Sequence, residues 1–556
     1  LKYVVKIDIG SKQKYIFSSN ILKEIIGASE IIRYVTENLG KEVLKNIKEN
    51  PEIYTGNNKG NILFEAGGNA MYIFDTIDKA RKFNEIFSKF VVKYFDGLEL
   101  LMVIKEFDIE NENIVNLYEK IEESLTRKKG SRKNQFRRIG YGLSKICEHT
   151  KKPAGYVYED KYISKESNDK LNFYNFIYKK CEYYDEKKEI KYTIDEGEVK
   201  YEITRLYIKL IEDDFKLNDF KLTKDIDIIA GEKNEGSYIG ITCIDGNSMG
   251  KKFNSFNDKY KNVKKGNKFE SNVRYIKEFR NITKEVDDAY KETFKATIEI
   301  LINNYENYCE NINYKKENKI LPIRPIILAG DDITFVSNGK IAVEVTKIFT
   351  ENITKVKVQF GDNQYNLTTS AGTAIVKRTH PFSRAVKLAE ALEKNSKKAL
   401  REMKLVFEKE KLKGEKDASF IDWEINRGDT LDDISIIRNK NVVARPYIII
   451  PEEKKMPKNV FNIYDSRQYE SLKSIINYNF YNFCEILNAI NKSEAKSSLK
   501  SFFRTMNSQE IDADLFYLKY KLKDKIKGDI DLNILKEVVY DAIDIMDLYT
   551  YVKGEK

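Results

Sequence analysis

The run Pro325-Ile326-Ile327-Leu328-Ala329-Gly330-Asp331-Asp332-Ile333-Thr334-Phe335-Val336 decides how the rest of the chain is read. Two apolar, β-rich stretches flank four residues of turn chemistry, which predicts a hairpin with Gly330, Asp331 and Asp332 at its tip. Gly and Asp are ordinary turn residues, so the tetrapeptide alone fits a plain turn as well as a catalytic one. Working back along the chain, Tyr238-Ile239-Gly240-Ile241-Thr242-Cys243-Ile244 reads as a strand that ends at Asp245. A glycine-containing turn, Gly246-Asn247-Ser248-Met249-Gly250, follows. If the two segments are neighbours in one sheet, three carboxylates meet at one rim. Hard oxygen ligands of that kind suit Mg²⁺ or Mn²⁺, which bind nucleotide phosphates through few protein carboxylates. Two such ions can activate an attacking hydroxyl and neutralise a departing pyrophosphate. Gly246, Gly250 and Gly330 would let the backbone approach a triphosphate closely.

Outward from this centre, a long helical stretch is expected over about 272–309, a helix near 341–349, a strand over 367–376 and a helix over 383–403. The same plan occurs earlier. A strand at 3–9 precedes a helix over 22–39 with Ile25, Ile26, Ile32 and Val35 on one face. Then come Asn61 to Glu65, a tight Gly67-Gly68 turn, Ala70 to Phe74 and a helix over about 77–94. The chain thus carries a weak internal duplication of strand, helix, glycine hairpin and helix. Set against Ala329-Gly330-Asp331-Asp332, the first hairpin reads Gly67-Gly68-Asn69-Ala70. The two carboxylates become an amide and a methyl, so the first block is expected to be catalytically silent, with Asn69 available for hydrogen bonding.

Composition bounds these readings. With 41% hydrophobic residues, 30 Phe and 36 Tyr, the 556-residue chain is expected to fold into two to four domains, and its alternation of period-2 and 3.6-period segments predicts an α+β protein. The divisions expected are 1–144, 145–235, 236–464 and 465–556, the third carrying the Gly-Asp-Asp hairpin and the last reading mainly as helix. No run of 18 apolar residues occurs and no signal-peptide layout opens the chain, so a cytoplasmic protein is expected. Only two histidines are present, His149 and His380, which excludes sites built on several His ligands and leaves little for a Ser-His-Asp hydrolase. The five cysteines imply no disulfide framework. The net charge of +10 is modest for this length and fits a Lys-rich solvated surface. One local cluster is denser: seven of the twelve residues from Arg127 to Arg138 are basic, either a grip on a nucleic-acid backbone or a mobile basic loop.

Taken in order, these segments resemble the large subunit of type III CRISPR interference complexes, the CRISPR polymerase family. The resemblance is carried by Lys14-Tyr15-Ile16-Phe17-Ser18-Ser19-Asn20, by Leu22 to Glu30, by Gly67-Gly68-Asn69-Ala70, by Asp245 to Gly250 and by Ala329-Gly330-Asp331-Asp332. Ser370-Ala371-Gly372-Thr373-Ala374-Ile375, Ala389-Glu390 and Arg445-Pro446-Tyr447 extend it over nearly the whole chain. It implies two ferredoxin-like palm domains facing each other, with a small connecting domain and a C-terminal helical domain. Two ATP molecules would lie between the palms, the 3′-hydroxyl of one attacking the α-phosphate of the other to give cyclic oligoadenylates. It further implies partner subunits, a guide RNA and activation by a target RNA. Asp245, Asp331 and Asp332 match the metal-binding positions, and Ser18, Asn20, Ser29 and Asn69 match the first palm's ATP-facing side.

Three departures from the family pattern stand out. Ala329 replaces the first glycine of the turn, a small change if that residue keeps φ below zero. The chain begins at the first palm, so cleavage of DNA by a preceding HD nuclease domain is not expected. In the connecting segment, Thr150 stands where a second cysteine would pair with Cys147, and Cys181 has no close partner. With His149 these fall short of a closed tetrahedral site, and zinc is not expected. The reading is therefore a metal-dependent nucleotidyltransferase making a nucleotide messenger from ATP. A non-catalytic scaffold, a stand-alone cyclase and a guanylate-based cyclase remain as alternatives.

Overall fold

The computed structural model describes residues 1–131, 142, 144–183, 190–196, 199–205, 215, 217–231, 237–261, 268–314, 319–409, 417–428, 434, 438, 443–449, 479–492 and 532–553. Arg132, Lys133, Arg137 and Arg138 of the basic cluster lie outside the described residues, as do residues 450–478 and 493–531. The chain divides into two compact units that interleave in sequence: residues 1–214, 250–288 and 358–365 in the first, and 215–249, 289–357 and 366–556 in the second. Among the described residues no helix is long and apolar enough to cross a membrane.

The first unit is built on an antiparallel sheet. Strand β1 (Lys2–Gly10) leads through helix α1 (Leu22–Glu37) to the hairpin β2 (Ile62–Ala66) and β3 (Asn69–Phe74), then through α2 (Ile77–Tyr94) to β4 (Glu99–Phe107), α3 (Ile114–Ser131) and, further on, α4 (Lys165–Tyr183). The order β2-β3-β1-β4 places the first strand centrally, as in a βαββαβ ferredoxin-like sheet. Gly67 and Gly68 both have positive φ, +57° and +86°, which is the primed turn that a two-residue hairpin loop requires. Helix α2 starts where the Thr76 side chain accepts the Lys79 N–H, and it buries Ala80, Phe83, Ile86, Phe87, Phe90 and Val91 on one face. The expected apolar face of α1 is buried at Ile25, Ile26, Ile32 and Val35, but the helix stops at Glu37 and a shorter one, Leu39–Asn46, follows. Arg127, Lys128 and Lys129 form the last turns of α3 rather than a loop, because Ile114, Val115, Leu117, Ile121 and Leu125 give that segment a buried helical stripe.

The second unit repeats the plan and extends it. Its elements are β5 (Tyr238–Gly246), the C-terminal part of α5 (Lys268–Asn303), the hairpin β6 (Ile323–Ala329) and β7 (Asp332–Asn338), α6 (Ala342–Ile353), β8 (Thr369–Lys377), α7 (Phe382–Lys409), β9 (Ser419–Asn426) and β10 (Tyr447–Ile449). The sheet order is β6-β7-β5-β8-β9-β10, with β8 and β9 parallel and the other pairs antiparallel. The helix expected as 272–309 breaks at Asn304, and Tyr305–Asn311 forms a separate short helix. Helices α8 (Phe480–Asn491) and α9 (Leu532–Ile545) complete the described part. Asp541 on α9 pairs with Arg445 at 3.1 Å and accepts the Tyr447 hydroxyl at 3.0 Å, which ties the C-terminal helix to the sheet edge. Trp423 stacks on Tyr447 beside this pair, with ring centroids 5.3 Å apart.

Candidate functional site

In the second unit, β5 runs antiparallel to β7 with Ile244 opposite Ile333. One step further along that register, Asp245 and Asp332 stand across from each other at the strand ends, where cross-strand Cβ atoms are about 5 Å apart. The hairpin closes through the pair Ala329–Asp332. Gly330 has φ +63° and Asp331 completes the two-residue loop, so glycine sits where a II′-type turn needs it. Ala329 is the last residue of β6 and is not among the residues with positive φ, so its methyl is tolerated. Asp331 folds back over β5: a methyl at Gly246 would lie 2.8 Å from the Asp331 Cβ and 2.7 Å from the Tyr290 hydroxyl. The glycine at 246 is therefore what admits Asp331 beside Asp245. Added methyls at Gly250 and Gly330 would meet open space.

A second layer sits under this rim. Tyr290, on α5, is fully buried, and its hydroxyl has no hydrogen-bond partner among the described residues. Burial first, and then the charges of Asp331, Asp245 and Asp332, push that phenol well above its ordinary range. All three carboxylates thus bear on one buried hydroxyl. From the other side comes α7. A methyl at Gly372 in β8 would overlap the α7 backbone at Ala389 and Glu393, so the glycine lets that helix lie close on the sheet. This packing brings Glu390, Glu393 and Lys397 to the rim. Lys397 forms ion pairs with Asp245 and, at 2.8 Å, with Glu393. Burial raises the carboxyls of both Glu390 and Glu393. Behind the rim, buried Asn247 accepts the Ser370 hydroxyl at 2.8 Å and donates to the Ala418 carbonyl at 2.9 Å. Ser248 has φ +58°, and its hydroxyl bonds Asp417 at 3.1 Å and Lys404 at 2.7 Å. The turn after Asp245 is therefore short and clamped, and the helix Met249–Lys261 follows it at once.

Among the described residues no group of three or more His, Cys, Asp and Glu is close enough to hold an ion by itself. The donor set still fits Mg²⁺ or Mn²⁺, because such ions take one or two protein carboxylates and complete their shell with phosphate oxygens and water. Asp245, Asp331 and Asp332 would hold the ion together with a nucleotide, and Lys397 now neutralises the first of them.

The other residues expected to meet ATP lie in the first unit. Asn69 opens β3 opposite Asp8, and Asn20 is exposed. Ser29 is only 9% exposed. Ser18 donates to Glu166 at 2.6 Å and accepts from Lys170 at 2.8 Å, so its hydroxyl belongs to a buried ion-pair cluster. Cys147 packs with Ile163 and Leu171 and accepts the Thr150 N–H, while His149 is 2.5 Å from Glu24. The side chain of Cys181 lies outside the described residues.

The registers also correct the alignment of the two hairpins. Ala66 pairs with Asn69 as Ala329 pairs with Asp332, so Asn69 corresponds to Asp332 and Gly68 to Asp331. The sequence comparison was one residue out because it matched Gly-Gly to Ala-Gly. Asp8, opposite Asn69, corresponds to Asp245. The first rim therefore keeps one carboxylate, a residue the sequence reading passed over.

Comparison with known proteins returns a palm domain over part of the chain. Residues 238–404 match the second palm domain of Cas10/Cmr2. No curated protein matches the chain. Among solved structures, the fold is similar to that of the Csm1–Csm4 cassette in complex with cA4, at 13% identity and a TM-score of 0.50, covering 98% of this chain and 69% of the other. The Csm1–Csm4 cassette in complex with pppApA matches with the same identity, coverage and TM-score.

Proposed function

We propose that the chain is the large subunit of a type III CRISPR complex and uses ATP to make a nucleotide second messenger, a cyclic oligoadenylate or a related AMP-containing product. The observation that carries this is the placement of Asp245 and Asp332 one step beyond the Ile244–Ile333 pair, with Asp331 against Gly246, at the end of a Cas10/Cmr2-like palm sheet. Mg²⁺ or Mn²⁺, two ions in this reading, would supply charge neutralisation at the reacting phosphates and lower the barrier to hydroxyl attack. The residues do the rest. Asp245, Asp331 and Asp332 would hold the cation together with the nucleotide phosphates. The open backbone at Gly250 and Gly330 would accommodate the triphosphate, while Gly246 makes room for Asp331 at the rim. Tyr290, whose buried hydroxyl stays protonated and has no hydrogen-bond partner among the described residues, keeps an O–H donor beside the carboxylate cluster. Ser18, Asn20, Ser29 and Asn69 of the first unit are proposed to meet ATP, Ser18 through a hydroxyl that Glu166 and Lys170 already orient.

Solved cassettes with cA4 and pppApA share this fold, which supports the same nucleotide class here. Partner CRISPR subunits, a guide RNA, a target RNA and a cytoplasmic setting belong to the same reading. The test is to incubate the purified complex with radiolabelled ATP, Mg²⁺ or Mn²⁺ and target RNA. Pyrophosphate release and an oligoadenylate product are expected. Release that is absent, or unchanged in Asp331→Ala/Asp332→Ala, overturns the proposal.

A further inference from the structure

A buried hydroxyl without a partner gives up its bonds to water and gains none in return, so few survive in a folded protein. Tyr290 keeps one. Its side chain is 1% exposed, and the hydroxyl has no hydrogen-bond partner among the described residues. Tyr314 carries an unpaired hydroxyl as well, but Tyr305 and Cys309 are what surround it. Tyr290 faces carboxylates instead. Its hydroxyl and the Asp331 Oδ2 flank Gly246 and aim at one point, since a methyl on that glycine would lie 2.7 Å from the first and 2.9 Å from the second. After burial itself, the charge of Asp331 weighs on the phenol more than that of Asp245 or Asp332. The two groups differ in freedom. Tyr290 projects from the long helix α5, its ring 6.3 Å from that of Phe349 and one turn from the fully buried Phe294. Asp331 sits in a two-residue loop beside Gly330 and is half-buried. The phenol is the fixed member, and the carboxylate is the one that can turn.

We infer that Tyr290 is a positioning residue for the cation site: its O–H takes one oxygen of Asp331 and leaves the other turned towards an ion shared with Asp245 and Asp332. Its part in turnover rests on the nucleotide reading above. A carboxylate at a hairpin tip has several rotamers, and metal sites narrow that choice with a hydrogen bond from behind the ligand. A phenol suits the task because it donates one proton and carries no charge. An ammonium in its place would compete with the ion, as Lys397 does at Asp245. Gly246 completes the arrangement, because any side chain there would stand between the phenol and Asp331. The unpaired hydroxyl is then a stability loss kept for function.

The test is Mn²⁺ binding to the full chain, read by electron paramagnetic resonance with the metal alone, beside urea melts in EDTA. Tyr290→Phe keeps the ring and removes the hydroxyl. It should unfold at no lower urea concentration than the parent, because the group lost is an unpaired one. The same variant should bind Mn²⁺ about tenfold or more weakly, the scale of removing a hydrogen bond to a metal ligand. In pyrophosphate release its kcat should fall by a similar factor, with the KM for ATP within about twofold of the parent. A double-variant cycle names the acceptor: on an Asp331→Ala background, Tyr290→Phe should change Mn²⁺ binding by less than about twofold. Binding is read without nucleotide, so a parent that releases no pyrophosphate defeats the proposed reaction while the role of Tyr290 is still decided by Mn²⁺. Unchanged Mn²⁺ affinity in Tyr290→Phe, a clearly lower urea midpoint, or the full loss on the Asp331→Ala background overturns the inference.

Discussion

Asp8 and Asp245 hold the same register position in two separate sheets, and each is paired with a lysine from the helix that follows the fourth strand of its palm. What differs is the hairpin opposite, Gly68-Asn69 in one and Asp331-Asp332 in the other. Among the described residues, hairpin carboxylates beside the central-strand aspartate therefore occur in the second unit and not in the first. Asp332 is exposed and Asp331 half-buried, so Asp331→Asn/Asp332→Asn should leave the melting temperature within a few degrees of the parent. Pyrophosphate release should fall by about 10³-fold, the scale of removing groups that neutralise charge in a transition state. Thermal melting beside a turnover assay checks both halves. A fall in turnover matched by unfolding would assign these residues to the fold instead.

Lys397 competes with any cation for Asp245. Its ammonium is drawn to Asp245 and Glu393, which outweigh burial and raise its pKa. Lys397→Gln removes that competitor at a side chain 28% exposed, where one ion pair contributes about 1 kcal/mol. The Mg²⁺ concentration for half-maximal ATP turnover should then drop about fivefold. A higher requirement in the variant would mean that Lys397 works by holding phosphate instead.

Much of this was legible along the chain, and the reasons differ from element to element. Both glycine hairpins declare themselves because a two-residue loop needs left-handed φ, which Gly67, Gly68 and Gly330 supply. Strand β5 ends at an aspartate in plain view. Asp8 ends an equally apolar strand, yet nothing nearby marks it, since its meaning comes from a register with Asn69 sixty-one positions on. Lys129 was submerged in a run of basic residues, and its role depends on which face of α3 turns to the sheet. Glu390, Glu393 and Lys397 reach the rim because Gly372 allows a close helix approach, a contact no local pattern encodes. Strands β9 and β10 extend the sheet beyond the duplicated core, so the internal repeat gave no hint of them.

Two glycines of the rim separate by the space around them. At Gly246 a methyl meets the Tyr290 hydroxyl and Asp331, so Gly246→Ala should cost about 1–3 kcal/mol and displace Asp331, lowering both urea midpoint and turnover. At Gly250, in the first turn of a helix with open space around it, Gly250→Ala should stabilise by about 0.5–1 kcal/mol. If triphosphate passes close to that backbone, the same variant raises the KM for ATP. Paired urea melts and Michaelis curves read the two effects, and an unchanged KM removes Gly250 from the nucleotide path.

The acidity of the sheet-edge network gives a pH signature far from the rim. Burial pushes the Asp541 carboxyl from 3.8 up to about 6, against the pull of Arg445 and the Tyr447 hydroxyl. A folded-state pKa above the unfolded one means the native protein binds the extra proton. This group's stabilisation is therefore full below pH 4 and lost as pH rises through 6. Between pH 4.5 and 7 the loss amounts to about 2 kcal/mol. Carboxylates held low by cations, such as Glu166 beside Lys170 and Lys152, lean the opposite way, so the whole-protein curve mixes both signs. Asp541→Asn isolates the contribution, because its amide oxygen can still accept from the Ala444 and Arg445 N–H groups and from Tyr447, which now bond Asp541 at 3.0–3.1 Å. Parent-minus-variant stability from urea melts should be more favourable at pH 4.5 than at pH 7 by that amount. A flat difference would mean that Arg445 keeps the carboxylate ionised throughout and that α9 stays docked by an ion pair at either pH.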